Sequence, residues 1–327
     1  MKLILIGFVS VLLAGPAASH PGENWVSRAP MPQARAEAAV ALLDGRIYVI
    51  GGWASEGGTD PRVVQVYDIA LNRWSAIAPL PKGALGPGAA AADGRVFACG
   101  GFVANSAGTP LGTTGQAIDN CWQLDPSQNR WASIASLPSP RFGVAVAALN
   151  GQIHVVGGYD YQDEAVDAHD VFDPATGAWS SRAPLPAPLG DMVLISVQQT
   201  GKLYAIGGWS DVRKQPSNVN AAYDPTTDSW TVKAPMKTAR YGMSAAVVGD
   251  RIFVIGGVVG GTGVHTALRT VEVYDVSTDQ WSAKKPLDAS RAATGAVASN
   301  GTIFLPGGLQ SVRNALNPVN TLLTLTP

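Results

Sequence analysis

Charge is scarce in this chain. Asp, Glu, Lys and Arg make up 14% of its 327 residues, and 23 basic against 24 acidic residues leave a formal net charge of −1. A typical domain carries about 25% charged residues. No run of five or more Lys and Arg occurs, so the electrostatic footprint of a nucleic-acid binder is missing. Cysteine occurs twice and histidine four times, too few and too scattered for a zinc cage, and no cofactor is implied. A sustained period of 3.6 residues is absent beyond the N-terminus, which excludes a mainly helical fold. Past the first residues no stretch approaches about 18 consecutive strongly apolar residues, so none reads as a membrane span.

Glycine, by contrast, is abundant and ordered. A Gly-Gly pair closes six short apolar runs, at Gly51-Gly52, Gly100-Gly101, Gly157-Gly158, Gly207-Gly208, Gly256-Gly257 and Gly307-Gly308, at intervals of 49, 57, 50, 49 and 51 residues. A period of this size marks a repeat architecture. Before most pairs stands a small-residue run, then a two-residue turn such as Asp44-Gly45 or Asn150-Gly151, suited to a type I′ hairpin. After each of the first five pairs come a variable loop, a strand ending in Asp (Tyr67-Asp68, Leu124-Asp125, Phe172-Asp173, Tyr223-Asp224, Tyr274-Asp275) and a Trp (Trp74, Trp131, Trp179, Trp230, Trp281). Four short antiparallel strands per repeat form a sheet that cannot bury both faces alone, so repeats must stack.

The double glycine, the Tyr-Asp and the spaced Trp resemble the kelch repeat, over roughly residues 24–327. The resemblance implies an all-β, six-bladed propeller, with blades at approximately 35–79, 84–136, 141–184, 190–235, 240–285 and 291–327 plus 24–29. The sixth repeat lacks its Trp, and Trp25 supplies one at the other end of the chain, so the N-terminal strand is expected to complete the last blade and spare the ring an open edge. Residues 1–19 read as a signal peptide: Lys2, an apolar core from Leu3 to Leu13, then Ala17-Ala18-Ser19. The remainder, 20–327, is then a single propeller, secreted or periplasmic, monomeric and not stably inserted in a membrane. In that compartment Cys99 and Cys121, on neighbouring strands, can form a disulfide, or stand as two buried thiols.

Sixteen residues before the first glycine of each pair stand Arg35, Ala84, Arg141, Asp191, Arg240 and Arg291. In kelch propellers this position faces the channel mouth, and the resemblance implies an anion-binding ring of Arg35, Arg141, Arg240 and Arg291, guanidinium being matched to carboxylates. The alternative is that each Arg pairs with local carbonyls or an inner-strand acid and fixes its loop. Asp191 interrupts the ring and could pair with Arg141 or Arg240. The loops after the glycine pairs begin with Trp53, Phe102, Tyr159, Trp209, Val258 and Leu309; four of these are aromatic, and Trp53, Tyr159 and Trp209 are the plates suited to sugars or peptide side chains, or to packing over the rim. The third-blade loop carries Asp160, Asp163, Glu164, Asp167, His169 and Asp170, a candidate calcium or first-row metal site or a solvated acidic loop. Iron-binding kelch proteins space Glu, Asp and His by four residues, whereas Glu164, Asp167 and His169 are spaced by three and two.

The expected function is therefore an exported binding module that presents loops around a channel mouth to an acidic peptide, protein or glycan, rather than an enzyme. The four histidines (His20, His154, His169, His265) do not form the set of a kelch copper oxidase. The enzymatic alternative is a sugar epimerase similar to the six-bladed sialic-acid mutarotases, with Glu56, Asp191 or Glu164 as acid or base.

Overall fold

A computed structural model describes residues 24–54, 60–104, 115–261, 265–312 and 315–327. Residues 1–19, expected to be a signal peptide, His20, Glu56 and most of the long second-blade loop lie outside them. The described chain forms six four-stranded antiparallel sheets and no helix. The first blade runs from the innermost strand outward as Ala39–Leu43, Arg46–Ile50, Val64–Asp68 and Arg73–Ala76, and the next four repeat that order. In the sixth, Val297–Ser299, Thr302–Pro306 and Leu322–Leu325 are joined by Val26–Ser27, with Val26 opposite Thr324 and Ser27 opposite Leu323. The N-terminal strand thus closes the ring, as the displaced Trp25 implied. Short two-stranded hairpins extend the loops of blades 2, 4, 5 and 6.

The glycine pairs stand where backbones from two blades meet. Gly157 and Gly158 both have positive φ (60° and 93°). A Cβ on Gly157 would lie 2.4 Å from the Leu189 carbonyl of the next blade, and one on Gly158 would lie 2.7 Å from that of Phe142. No other residue satisfies both the conformation and the space.

The tryptophans join blades as well as fill them. The indoles of Trp74, Trp131, Trp179, Trp230 and Trp281 donate to the carbonyls of Ala29, Ala78, Ala135, Ala183 and Ala234, each in the preceding blade, at 2.7–2.9 Å. Four of those alanines also donate their N–H to an Asn or Asp in the next blade: Asn72, Asn129, Asp228 and Asp279. Three of the latter accept from the strand-three tyrosine, as in Tyr67 to Asn72 at 2.6 Å, Tyr223 to Asp228 at 2.8 Å and Tyr274 to Asp279 at 2.7 Å. Each such bond is worth about 1 kcal/mol, so blade docking is directional as well as hydrophobic. Cys99 and Cys121 are direct cross-strand partners and form a disulfide. The innermost strands are built largely of Ala, Gly and Val, as in Gly88–Ala92, and these small side chains let six strands converge on a channel.

Candidate functional site

The four arginines do not line the channel. Arg35, Arg141, Arg240 and Arg291 are 0–2% exposed and lie inside their blades. Arg141 pairs with Asp170 and reaches the Gly157 carbonyl; Arg240 pairs with Glu272 at 2.6 Å. Arg35 donates to the carbonyls of Gly52 and Asp60 and to Gln33, and Arg291 to Thr321 at 3.0 Å. The expected anion-binding ring is corrected accordingly. The guanidinium forks of Arg35, Arg141 and Arg240 are spent on carbonyls, Gln33 and inner-blade acids, whereas among the described residues Arg291 reaches only the Thr321 hydroxyl.

Asp191 does not belong to the arginine register. The blade-4 hairpin pairs Val197 with Lys202 across four residues, where the blade-3 hairpin pairs Leu149 with Gln152 across two. Counting back sixteen from the glycines therefore stops two residues short. Leu189 is the true counterpart of the arginines: its carbonyl accepts from Gly158 as that of Arg141 accepts from Gly101. Asp191 pairs with neither Arg141 nor Arg240.

Asp191 belongs instead to a second ring, two residues further along each blade. Its members are Glu37, Gly86, Gly143, Asp191, Gly242 and Ala293, all with φ between 51° and 58°. The N–H of each donates to the carbonyl of the preceding member, and Glu37 closes the circle by donating to Ala293 at 2.7 Å. Three members are glycine, as this left-handed conformation favours. Glu37, Asp191 and Ala293 adopt it at a cost of roughly 1–3 kcal/mol each. An Arg-x-Gly triplet recurs at Arg141 and Arg240, and Arg35-Ala-Glu37 departs from it. That departure was the sequence signal for Glu37, which the count from the glycine pairs passed over.

This ring opens onto a cavity of about 990 Å³ lined by all six blades. All six loop-opening residues bridge the backbone of their own blade's inner loop, and Phe102, Tyr159, Trp209, Val258 and Leu309 line the cavity while Trp53 does not. Phe142 and Tyr241, missed in the sequence, complete the aromatic wall. Tyr159 stacks at 5.1 Å on Phe142, and Tyr241 meets Trp209 at 5.4 Å. The Tyr159 hydroxyl donates to Asp191 Oδ2 at 3.1 Å, and the Tyr241 hydroxyl lies 2.5 Å from His265 Nδ1. Among the described residues the lining includes Glu37, Asp160, Asp163 and Asp191 but no Lys or Arg.

Burial dominates the electrostatics. It pushes the Glu37 carboxyl up to about 8, helped by the negative charge of Asp191. It raises Asp191 to about 6, with the Tyr159 hydrogen bond pulling back and Asp163 adding to the rise. Glu37 is half-buried, and the surface it keeps faces the cavity. Two carboxyls that titrate around neutrality can hold or exchange a proton there.

The acids of the third-blade loop disperse. Asp160 caps the N–H groups of Gln162 and Glu164, Asp170 is buried on Arg141, and His169 faces His154 at 2.9 Å. Among the described residues no group of three or more His, Cys, Asp or Glu is placed to hold a metal ion, so Asp160, Asp163, Glu164 and Asp167 do not assemble as the metal site considered above.

Comparison with known proteins agrees with this geometry. The chain is 30% identical to Kelch-like protein 35 of Mus musculus over 57% of its own length and 31% of that protein's. It is 32% identical to Alpha-scruin of Limulus polyphemus over 57% of its length and 21% of that protein's. The chain thus spans about a fifth to a third of these curated relatives. The solved structure of YjhT superposes with a TM-score of 0.78 at 17% identity, covering 91% of this chain and 96% of that one, and shares the fold. Kelch-type propellers typically serve as protein-interaction modules. The profile of the Attractin/LZTR1 beta-propeller family matches residues 47–315, and the chain belongs to that family of kelch-repeat propellers.

Proposed function

We propose that this protein is an exported, monomeric recognition module that seats the tip of a peptide or glycan partner in the channel mouth. The observation that carries this is the cavity of about 990 Å³, with Phe102, Phe142, Tyr159, Trp209 and Tyr241 in its wall. Aromatic plates beside a few convergent polar groups are the usual composition of a ligand site. Export is supported by the apolar N-terminal run and by the Cys99–Cys121 disulfide, which suits an oxidising compartment. The acidic partner expected from the arginines loses its support, because those side chains are buried and already bonded. A neutral or basic ligand suits the carboxyl-bearing wall. Peptide and glycan arrays, screened with the wild type and with Tyr159→Ala and Trp209→Ala, test the site. Binding that both substitutions weaken by about tenfold or more, as for a lost hot spot, supports it; binding that neither alters sinks it.

One observation favours a second reading. Glu37 near 8 and Asp191 near 6 straddle neutrality, so one can act as acid while the other acts as base on a sugar ring. The absence of Lys and Arg from the described lining suits a neutral sugar better than a carboxylated one. NMR exchange spectroscopy on free hexoses decides: anomer exchange faster than buffer, and lost in Glu37→Gln, establishes catalysis, whereas binding without exchange leaves the module.

A further inference from the structure

We propose that the group seated in the channel is a cation, the ammonium or guanidinium of a Lys or Arg side chain on a partner peptide, held between Glu37 and Asp191. The proposal depends on the channel mouth being the binding site.

Glu37 carries most of the argument. Its carboxyl is half-buried, opens into the cavity, and receives no hydrogen bond or ion pair from any described residue. The backbone beneath it adds a cost, since φ is 53° where Gly86, Gly143 and Gly242 stand in other blades. Such a group persists where its partner arrives from outside. Asp191 stands three places away around the ring of six in either direction, on the far side of the channel, and accepts one hydrogen bond, from Tyr159. Gly143 leaves its other oxygen room, for a Cβ there would come within 2.7 Å of Oδ1.

The surroundings favour an organic cation. Rings of Tyr159, Trp209 and Tyr241 can receive an ammonium or guanidinium on their faces. None of the protein's own buried arginines bonds either acid: Arg141 and Arg240 face Asp170 and Glu272, Arg35 bonds the carbonyls of Gly52 and Asp60 and the Gln33 side chain, and Arg291 bonds Thr321. Among the described residues no group of three or more His, Cys, Asp or Glu is placed to hold a metal ion, so the pair falls short of a metal cage. The other titratable groups facing the pair are Asp160, Asp163, Tyr159, Tyr241 and His265, none of them a permanent cation. A bound cation would draw the raised carboxyls down, so that binding near neutrality releases protons.

The test is calorimetry with glycine-flanked heptapeptides whose central residue is Lys, Arg, norleucine or Glu, together with n-butylamine. It is run at about pH 6.5 and 8.5, in buffers of different ionisation enthalpy. The expected result is a preference of roughly tenfold or more for Lys and Arg over norleucine, proton release at the lower pH, and loss of the preference in Glu37→Gln and in Asp191→Asn. Equal binding of the Lys and norleucine peptides, both weakened by Tyr159→Ala, overturns the cation but leaves the channel site standing. Lys-peptide binding that Tyr159→Ala leaves untouched overturns both. Butylamine binding as tightly as the Lys peptide overturns the peptide as source, and failure of every probe overturns the proposal outright.

Discussion

Glu37 and Asp191 occupy opposite positions in one closed ring of six backbone hydrogen bonds, and both hold a left-handed backbone conformation. They are the two ionisable members of that ring. Their position at the entrance of the channel makes the ring part of the site as well as part of the scaffold.

Removing either charge should stabilise the empty protein at alkaline pH. An acid whose folded value is raised costs nothing below its unfolded value near 4, and its cost grows as pH rises through the folded value. For Asp191 that value is about 6 and for Glu37 about 8. Glu37→Gln is expected to raise stability by roughly a few kcal/mol above pH 8, with the gain fading towards pH 4. Thermal melts across that range check it; a gain independent of pH would show that the charge is not the cause.

The buried arginines should separate into two classes on mutation. Arg240→Ala strands Glu272, and a broken buried pair typically costs about 3–5 kcal/mol. Arg291 has no carboxylate partner among the described residues, and burial lowers it to about 10. Arg291→Met is therefore expected to be near neutral. Urea unfolding measures both, and similar large losses would contradict the distinction.

The His154–His169 pair should make the protein acid-sensitive. Burial, followed by the neighbouring imidazole, lowers His154 to about 3. Burial lowers His169 to about 4, partly offset by its bond to the Ala183 carbonyl. The folded state thus keeps both rings neutral. Their stability is whole above the unfolded value near 6.5 and drains away as pH falls towards 3 to 4. His154→Gln should flatten the decline in melting temperature between about pH 6.5 and 4; an unchanged slope would place the sensitivity elsewhere.

Gly190→Ala should disturb the aromatic wall. A Cβ at this position would fall 2.1–2.6 Å from the Tyr159 ring atoms. The ring must move, loosening its bond to Asp191, at a cost of roughly 1–3 kcal/mol. A carbon-13 titration of the Asp191 carboxyl reports it: its midpoint should rise from about 6, since the Tyr159 hydrogen bond is what pulls it down.

The blade count and the closing strand were legible in the sequence because glycine pairs, tryptophans and Trp25 each answer a local steric demand that any blade must meet. The site was only half legible. Tyr159, Trp209 and Asp191 were found by their offset from the glycines, and all three line the cavity. Trp53 shares the same offset and is not part of that lining. The arginines were misplaced because a register gives a residue's position along a strand but says nothing about which acid or carbonyl will capture a long side chain. Asp191 was matched to the wrong neighbours because the four-residue blade-4 turn shifts the count by two. Glu37 is an exception to a glycine pattern, and only the backbone conformation gives that exception its meaning.

The pairing of Val26–Ser27 with Leu322–Leu325 also sets an order in time. During synthesis the first strand has no partner until nearly 300 further residues have been made. Until then that outer strand has no sheet to join, and the Ala29 carbonyl that Trp74 grips belongs to a segment not yet fastened at its other edge. Five blades can assemble from neighbouring sequence, while the ring is locked by the chain's two distant ends in one late event. A nascent chain held at any shorter length therefore presents an open arc with two free faces, the state most exposed to mispairing.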